Sequence, residues 1–216
     1  MKLVVFDIDG TLVDSRATIV ACAREAFTAA GLPPPEADAI RHIVGLSLPE
    51  AMRVLLGRDD PGTAARIADH YREAFVARRH RPDHEDPLFP GAREVLDALA
   101  ARGIRLGVAT GKALRGLLSV LERHGLEDRF VTLQTADGHP SKPHPSMLFA
   151  AMAETGVEPR DTLFVGDTVF DIAMARAAEV LPVGVRWGNH PPEQLARAGA
   201  AHLLDRFADL LDLLPS

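Results

Sequence analysis

The 216-residue sequence predicts an α/β protein in which helices cover both faces of a parallel sheet. Short apolar runs rich in β-branched residues alternate with segments whose apolar residues recur at helical spacing. Alternation of this kind favours right-handed βαβ units around a parallel sheet. Glycines stand where helix C-caps are expected, at Gly103, Gly125 and Gly156. One long segment after the first strand has no strand pattern and is predicted to be helical. The expected architecture is a Rossmann-like, doubly wound sheet with an inserted helical domain.

Six strands are expected, at Leu3–Phe6, Ile104–Ala109, Phe130–Leu133, Thr162–Val165, Val180–Val185 and, with a weaker pattern, His202–Leu204. Helical spacing alternates with them at Gly91–Ala101, Lys112–His124, Pro145–Thr155, Val169–Ala178 and Pro192–Ala198. In parallel sheets of this kind, functional sites form at the carboxyl ends of the strands. The polar residues that follow each strand are therefore the first candidates for a site.

The segment from residue 15 to residue 84 is predicted to be a helical cap domain inserted into the α/β core, which comprises residues 1–14 and 85–216. Its helices are expected at Arg16–Ala30, Glu36–Val44, Leu48–Leu56 and Gly62–Arg79. The polar, proline-containing stretch Asp83–Pro90 is typical of a linker. The insert holds ten arginines against nine acidic residues, so the acidic excess lies in the core. That excess fits a cation-binding site and a solvated acidic surface equally well.

Composition narrows the class of protein. A net charge of −6 argues against a nucleic-acid-binding surface, which usually carries a basic excess. No apolar run approaches the roughly 20 residues that span a bilayer, and the N-terminus lacks a signal-peptide cleavage pattern. The single cysteine, Cys22, is expected to be a small buried residue and fits a reducing compartment. We therefore expect a cytoplasmic protein with neither nucleic-acid nor membrane partners. The sequence does not distinguish a monomer from a homodimer.

The first strand ends in two carboxylates, Asp7 and Asp9, which are followed by Gly10. Residues two apart on an extended chain point to the same side, so the two charges lie close together. Such a pair repels unless a cation, a proton or hydrogen bonds compensate it. An Asx turn or a helix cap is the structural alternative, but Asp14 or Ser15 is available to cap the next helix. The pair is therefore favoured as a functional site.

The second core strand ends in Thr110-Gly111-Lys112. A hydroxyl group and backbone amides at a helix N-terminus suit a phosphate oxygen, although Thr110 could equally serve only as the helix cap. A P-loop is excluded, because Gly107 lies one residue too close to Gly111 and Ala113 stands where Ser or Thr is required.

Two later segments complete the set. Prolines flank Lys142 in Ser141-Lys142-Pro143-His144-Pro145 and restrict the loop that carries it; a solvated surface lysine is the alternative. Asp167 follows a buried-looking strand, and Asp171 lies four residues further on. Hard cations such as Mg²⁺ prefer carboxylate oxygens, while helix capping by Asp167 with a solvated Asp171 is the alternative. Only three of the 24 basic residues are lysines, and two of these three, Lys112 and Lys142, fall inside these motifs.

Taken together, these four segments resemble the motifs of the haloacid dehalogenase-like hydrolase superfamily over the whole chain. Asp7-Ile8-Asp9-Gly10-Thr11 resembles the first motif, Thr110 the second, Lys142 the third and Gly166-Asp167-x-x-x-Asp171 the fourth. The helical insert after the first motif is similar to an α-helical cap of the first type. An acid two residues after the nucleophile distinguishes phosphoryl-transferring members from dehalogenases. The general layout is most similar to bacterial phosphoglycolate phosphatases.

The resemblance implies a role for each motif residue. Asp7 would attack phosphorus and form an aspartyl-phosphate. Asp9 would protonate the leaving alcohol and then activate water. Thr110, with the following amide of Gly111, would hold phosphoryl oxygens, and Lys142 would offset negative charge. The substrate would be a small-molecule phosphate ester, with 2-phosphoglycolate as a candidate.

The resemblance also implies a magnesium cofactor. Mg²⁺ would bind the Asp7 carboxylate, the Asp9 backbone carbonyl and Asp167, and Asp171 would either ligate the ion directly or support its water shell. Two anions, a carboxylate and a phosphate, approach each other only if cations cancel their repulsion.

Three alternatives remain open at this point. The chain could be a phosphosugar mutase or a pyrophosphatase of the same superfamily, or a non-catalytic protein that binds phosphometabolites.

Two other sequence patterns are not interpreted as functional sites. Gly45-Leu46-Ser47-Leu48-Pro49 has proline where a nucleophile elbow requires glycine. Pro82 interrupts any helix that would align His80 and His84 as metal ligands.

Overall fold

A computed structural model describes residues 1–79, 81 and 84–214. Its sheet has six strands, β1 Leu3–Phe6, β2 Arg105–Thr110, β3 Thr132–Thr135, β4 Thr162–Gly166, β5 Leu181–Val185 and β6 His202–Leu204. All neighbouring strands are parallel and follow the order β3-β2-β1-β4-β5-β6. The direction of winding reverses between β1 and β4, and a crevice therefore opens at the carboxyl ends of these two strands. The predicted doubly wound α/β fold is confirmed.

The α-helices are α1 Arg16–Ala29, α2 Ala37–Arg41, α3 Leu48–Leu56, α4 Pro61–Arg79, α5 Ala92–Ala101, α6 Leu114–His124, α7 Ser146–Thr155, α8 Val169–Ala177 and α9 Pro192–Ala198. Short 3₁₀ turns occupy Pro159–Asp161 and Phe207–Leu213. Helices α1 to α4, which lie between β1 and α5, were all expected from the sequence. The second 3₁₀ turn was not expected, although Phe207, Leu210, Leu211 and Leu214 recur at helical spacing.

Strand β1, at the centre of the sheet, is apolar throughout because both faces of the sheet are covered. In β1, Val4 and Phe6 belong to the apolar cluster on one face, while Leu3 and Val5 belong to the cluster on the other. All four side chains are fully buried. A strand anchored on both faces holds the residue that follows it, Asp7, in a fixed position at the crevice.

Three elements differ from the sequence expectation by two residues or more, and the first of them is α2, which ends at Arg41 rather than at Val44. The third strand was expected at Phe130–Leu133 but runs from Thr132 to Thr135, since its pairing with β2 begins at Thr132. Phe130 packs into the core from the preceding turn, whereas Val131 is 58% exposed. Helix α6 begins at Leu114 rather than at Lys112, because the Lys112 side chain is directed into the crevice.

Helices α1 to α4 pack on one another around two apolar clusters of their own. Helix α1 lies against α4, and Cys22 of α1 is buried as expected. The loop that joins α2 to α3 returns to the sheet, where the backbone N–H of Ser47 donates a hydrogen bond to Ser141 Oγ at 2.8 Å. This contact brings the helical segment over the crevice between β1 and β4.

Within the described ranges, no helix combines the length and the apolar character that crossing a membrane requires. The location expected for the protein stays a prediction.

Candidate active site

The crevice collects the residues that follow three neighbouring strands. Asp7 follows β1, Thr110 ends β2, and Asp167 follows β4. The backbone N–H of Asp7 donates to the carbonyl of Val165 at 2.9 Å and so continues the pairing of β1 with β4. Each of these three side chains is at most 1% exposed.

Asp7 is a buried carboxylate with little compensation. Neither of its oxygens has a hydrogen bond of acceptable geometry to any group in the described part of the chain. Its nearest cation is Lys142, whose Nζ lies 3.1 Å from Oδ1. Burial raises the pKa of Asp7 to about 7, against the opposing attraction of Lys142 and with the added repulsion of Asp171 and Asp9. The carboxylate is therefore placed to receive a cation or an electrophile.

Lys142 is a buried cation rather than the solvated surface lysine that the sequence left open. Its Nζ donates to Asp171 Oδ1 at 2.7 Å as well as contacting Asp7, and its side chain is fully buried. Burial alone would lower the pKa of Lys142, but the two carboxylates outweigh it and raise the pKa above its usual value. Lys142 therefore carries its charge between Asp7 and Asp171.

Asp171 is buried, not solvated, and both of its oxygens accept hydrogen bonds. Oδ1 accepts from Lys142, while Oδ2 accepts from the backbone N–H of Thr168 at 2.9 Å and from its hydroxyl at 2.8 Å. Thr168 and Asp171 thus form the capping box of α8. The alternative in which Asp167 caps this helix and Asp171 is solvated is not observed, because Thr168 is the N-cap residue.

Asp167 is held by its neighbours on both oxygens. Oδ1 accepts from the Thr11 hydroxyl at 3.0 Å, and Oδ2 accepts from the backbone N–H and side-chain amide of Asn189 at 2.7 and 2.8 Å. Burial raises the pKa of Asp167 to about 8, with further repulsion from Asp171 and Asp7. Asp167 is thus fixed in position while its charge stays under-compensated.

Asp7, Asp167 and Asp171 form one acidic cluster whose oxygens lie within 4.8 Å of one another. Carboxylate oxygens at this separation suit a hard divalent cation. The unpartnered oxygens of Asp7 fit that interpretation, since a buried carboxylate without hydrogen bonds is costly unless a cation balances it. Asp171 fits it least well, because one of its oxygens already binds the ammonium group of Lys142, whereas the partners of Asp167 are uncharged.

Asp9 lies 9% exposed at the edge of the same crevice and is held by two partners. Lys112 Nζ donates to both of its carboxylate oxygens at 2.8 Å, and the Ser15 hydroxyl donates to Oδ1 at 2.5 Å. Ser15 is the N-cap residue of α1, but its side chain does not cap the helix, and Asp14 pairs with Arg16 instead. The expected side-chain cap is therefore wrong, since the Ser15 hydroxyl is used to orient Asp9.

Thr110 does not cap α6. The N-cap residue of that helix is Ala113, and the backbone N–H of Leu114 donates to Asp137. The Thr110 hydroxyl accepts only a long bond, 3.3 Å, from the backbone N–H of Lys112. Thr110 is therefore free of the capping role that the sequence left open, and its hydroxyl lies at the crevice.

Gly111 lies directly beneath the loop that joins α2 to α3. A Cβ atom at this position would lie 2.5 Å from the carbonyl oxygen of Leu46 and 2.7 Å from that of Gly45. Only glycine allows so close an approach of the two backbones. The helical segment is thus seated against the turn formed by Thr110, Gly111 and Lys112.

A cavity of about 380 Å³ extends from the two carboxylates into the helical segment. Asp7, Asp9 and Thr110 lie at its floor. Its walls come from the α2–α3 loop and from helices α1, α3, α4 and α6. The predicted core residues and the inserted helices therefore share one binding space.

The family model for haloacid dehalogenase-like hydrolases matches residues 4–185. The chain belongs to this family. The haloacid dehalogenase-like resemblance drawn from the four motifs is confirmed, and the match covers β1, the helical segment and the strands through β5.

Characterised relatives indicate the reaction class of this haloacid dehalogenase-like hydrolase. A phosphoglycolate phosphatase of Rhodospirillum rubrum is 38% identical over 99% of this chain and 90% of its own length. An N-acetylmuramic acid 6-phosphate phosphatase of Pseudomonas aeruginosa is 32% identical over 99% and 95%. A haloacid dehalogenase-like hydrolase structure from Bacteroides fragilis aligns with a TM-score of 0.89 and 26% identity over 97% and 99%. The chain is thus an enzyme, a phosphoric monoester hydrolase of this family.

Sequence reasoning missed three residues that orient the site of this hydrolase. Asn189 and Thr11 bind Asp167, and Lys112 binds Asp9. Lys112 had one signal, its rarity as a lysine within a motif, but nothing in the sequence linked it to Asp9. His80 and Pro82, whose metal-binding role was discounted, lie outside the described residues, while His84 pairs with Asp86.

Proposed function

We propose that this enzyme is a magnesium-dependent phosphatase in which Asp7 forms an aspartyl-phosphate with a small-molecule phosphate monoester. The observation that carries the proposal is the Asp7 carboxylate, which is buried, with Oδ1 3.1 Å from the ammonium nitrogen of Lys142 and Oδ2 without a partner among the described residues. A carboxylate held by hydrogen bonds on both oxygens would be a weak nucleophile, whereas Oδ2 of Asp7 keeps its lone pairs available. Its position on the floor of the cavity allows a phosphate group to approach it.

The reaction proceeds in two steps that share one acid–base residue. An oxygen of Asp7 attacks phosphorus, the bond from phosphorus to the ester oxygen breaks, and Asp9 gives a proton to the departing alkoxide. Water then attacks the phosphorus of the aspartyl-phosphate, Asp9 takes a proton from that water, and Asp7 is released with inorganic phosphate. Ser15 and Lys112 keep the Asp9 carboxylate at the edge of the crevice between these steps.

Asp7, Asp167 and the Asp9 backbone carbonyl are the groups that would hold Mg²⁺. When bound, the ion offsets the repulsion between the nucleophile and the phosphate and stabilises the charge that develops on the phosphoryl oxygens. We assign Asp171 a supporting role, because its Oδ1 binds Lys142 and its Oδ2 accepts the capping hydrogen bonds from Thr168. Thr11 and Asn189 orient Asp167 for the ion.

The phosphoryl group is bound by the remaining motif residues. The Thr110 hydroxyl and the Gly111 amide donate to its oxygens at the carboxyl end of β2. Lys142 supplies a positive charge beside Asp7, and its bridge to Asp171 keeps the ammonium group in place. These groups bind the phosphate of any ester and do not select the alcohol.

Residues 15–84 are proposed to form a cap domain over a core made of residues 1–14 and 85–216. The packing of helices α1 to α4 around their own apolar clusters supports this division. Closure of the cap would exclude water from the aspartyl-phosphate and bring selective contacts to the substrate. The cytoplasm is the proposed compartment.

Phosphate release tests the proposal. We expect the purified enzyme to release phosphate from p-nitrophenyl phosphate and from 2-phosphoglycolate only when Mg²⁺ is present, and the Asp7→Asn variant to lose this activity. Asp161→Asn is a matched control, because Asp161 is a half-exposed carboxylate that pairs with Lys2 away from the crevice. Full activity in Asp7→Asn, with wild-type Mg²⁺ dependence, would exclude Asp7 as the nucleophile.

A further inference from the structure

We infer that the preferred substrate is a phosphate monoester of a ring-sized, partly apolar alcohol that also carries a carboxylate. The inference rests on the proposed phosphatase function and names the substrate class of the same site. It is carried by three properties of the cavity: its volume, its apolar wall and its arginines.

The volume exceeds what a two-carbon alcohol occupies. The cavity measures about 380 Å³, which lies within the roughly 300–1,000 Å³ range of sites that bury drug-sized ligands. With the phosphate of 2-phosphoglycolate bound at Asp7, its short organic part would leave most of this space to water. A pocket of this size gains binding energy only from a larger leaving group.

The wall next to Asp9 is apolar and aromatic. Leu46, Leu48, Tyr71, Phe75 and Val76 line the cavity and are half-buried, so a ligand can cover the area that they still expose. The rings of Tyr71 and Phe75 are stacked, with centroids 6.1 Å apart. Flat ring faces of this kind suit the C–H face of a sugar or a second ring.

The apolar wall lies next to Asp9, the residue that is proposed to protonate the leaving alcohol. Lys112 Nζ lies 5.0 Å from the centre of the Phe75 ring and 2.8 Å from the Asp9 oxygens. The alcohol that accepts a proton from Asp9 is therefore in immediate reach of Phe75. The apolar wall consequently contacts the organic part of the substrate and not its phosphate.

Three arginines line the cavity, Arg72, Arg79 and Arg115. Arg72 pairs with Asp69 at 2.6 Å, whereas Arg79 and Arg115 have no ion-pair partner among residues 1–79, 81 and 84–214. Besides Asp7 and Asp9, the acid that lines the cavity is Asp137, which accepts a hydrogen bond from the Leu114 backbone. Guanidinium groups bind carboxylates with two parallel hydrogen bonds, so Arg79 and Arg115 are suited to an acidic group on the alcohol.

The substrates of two relatives can be compared with this substrate class. The substrates in the names of these relatives, phosphoglycolate and N-acetylmuramic acid 6-phosphate, both carry a carboxylate in addition to the phosphate, but only the second has a ring. The volume and the aromatic wall of this cavity favour the ring-bearing kind. The two relatives thus supply substrates that separate the contribution of size from the contribution of charge.

A matched set of three esters tests the inference. N-acetylmuramic acid 6-phosphate and N-acetylglucosamine 6-phosphate share a ring and differ by one carboxylate-bearing ether, while 2-phosphoglycolate has the carboxylate without the ring. We expect kcat/KM for N-acetylmuramic acid 6-phosphate to exceed that for each of the other two by about tenfold or more.

Two kinds of variant assign the effect to the cavity. Arg79→Met and Arg115→Met should reduce kcat/KM for N-acetylmuramic acid 6-phosphate and change that for N-acetylglucosamine 6-phosphate by less than about twofold. Arg66→Met is the control, since Arg66 is an exposed arginine of the same helix as Arg79 and does not line the cavity. Gly116→Leu should fill the cavity, where a Cβ atom meets nothing within 4 Å, and should slow the two ring-bearing esters more than 2-phosphoglycolate.

The outcomes separate this inference from the proposed function. Equal or higher kcat/KM for 2-phosphoglycolate would overturn the size argument, and equal values for the two amino-sugar phosphates would overturn the carboxylate argument. In both cases phosphate release continues and the phosphatase assignment stands. No release from any of the three esters or from p-nitrophenyl phosphate would instead contradict the proposed function.

Discussion

At the scale of single residues, the site is an arrangement of buried charges that do not balance without a ligand. The carboxylates of Asp7, Asp167 and Asp171 lie close together, and the ammonium group of Lys142 pairs with two of them, Asp7 and Asp171. Burial raises the pKa of Asp7 to about 7 and that of Asp167 to about 8. A divalent cation would relieve this repulsion and restore the charged form of both side chains.

Asn189 offers a test of the cation site through a residue that does not touch the substrate. Replacing Asn189 with Ala removes the side-chain hydrogen bond to Asp167 Oδ2, which leaves that carboxylate less firmly oriented. The Mg²⁺ concentration that gives half-maximal activity should rise about 10- to 100-fold, as measured by titrating phosphate release.

Gln134→Ala is the matched control, since Gln134 is also a buried amide but binds Thr132 and His139. An unchanged Mg²⁺ requirement in Asn189→Ala, with the fold intact by circular dichroism, would remove Asn189 from the cation site.

At the scale of elements, the α2–α3 loop decides how the helical segment sits on the core. The loop contacts Gly111 through its carbonyls and Ser141 through the Ser47 amide. A third contact is made by His190, whose Nε2 lies 3.2 Å from the carbonyl oxygen of His42. These contacts join the loop to residues that follow three different core strands.

Gly111→Ala should displace this loop. The new Cβ atom would lie 2.5 Å from the Leu46 carbonyl oxygen, too close for either backbone to remain in place. We expect KM for phosphate esters to rise by about tenfold, because a displacement of about 1 Å near the chemistry can cost more than that. Steady-state kinetics with p-nitrophenyl phosphate measure the KM of the variant and of the wild-type enzyme.

Gly138→Ala is the control, since a Cβ atom there meets nothing within 4 Å. Equal kinetics for both variants would mean that the loop does not rest on Gly111 in solution.

Most helices and strands could be predicted from the sequence, because the spacing of apolar residues shows which face of an element is buried. Strand β1, helix α3 and helix α9 lie where the sequence placed them. The errors occur where a side chain binds a residue of the site: Lys112, which was expected inside α6, precedes the helix and binds Asp9, and Ser15 binds Asp9 instead of capping α1. Propensity and capping rules describe only competition for nearby backbone groups, so they anticipate neither the carboxylate six residues before Ser15 nor a partner 103 residues from Lys112.

The same limit applies to the site. Residues that follow strands were found because strand ends in a parallel sheet converge at one edge. Asn189 follows no motif, and its role depends on how the segment after β5 folds back onto Asp167. The shape of the cavity could not be predicted from the sequence either, since it depends on how α1, α3 and α4 pack.

At the scale of the whole molecule, the buried acids couple stability to pH and to Mg²⁺. In the folded protein Asp7 and Asp167 bind protons more tightly than the usual carboxylate, whose pKa is 3.8. Their cost to stability is absent below about pH 3.8, grows as pH rises and is complete above about pH 8. Buried His190, whose pKa is lowered by burial, acts in the opposite sense below about pH 6.5.

Mg²⁺ should therefore stabilise the protein more at high pH than at low pH. Protons compete with the ion for Asp7 and Asp167, so we expect saturating Mg²⁺ to raise Tm clearly more at pH 8 than at pH 5.5. Comparing the two shifts at fixed pH cancels the contribution of His190. The difference should shrink in Asp167→Asn. Equal shifts at both pH values, or none at either, would contradict a magnesium site at these carboxylates.

The most direct test of the nucleophile uses the variant Asp9→Asn with p-nitrophenyl phosphate. The good leaving group needs no acid, so the first step should proceed, while loss of the base slows the attack of water and lets the phosphorylated enzyme accumulate. We expect a burst of about one equivalent of p-nitrophenol and, after acid quenching, mass spectra with one phosphoryl group on Asp7. A phosphoryl group on another residue, or none despite turnover, would contradict nucleophilic attack by Asp7.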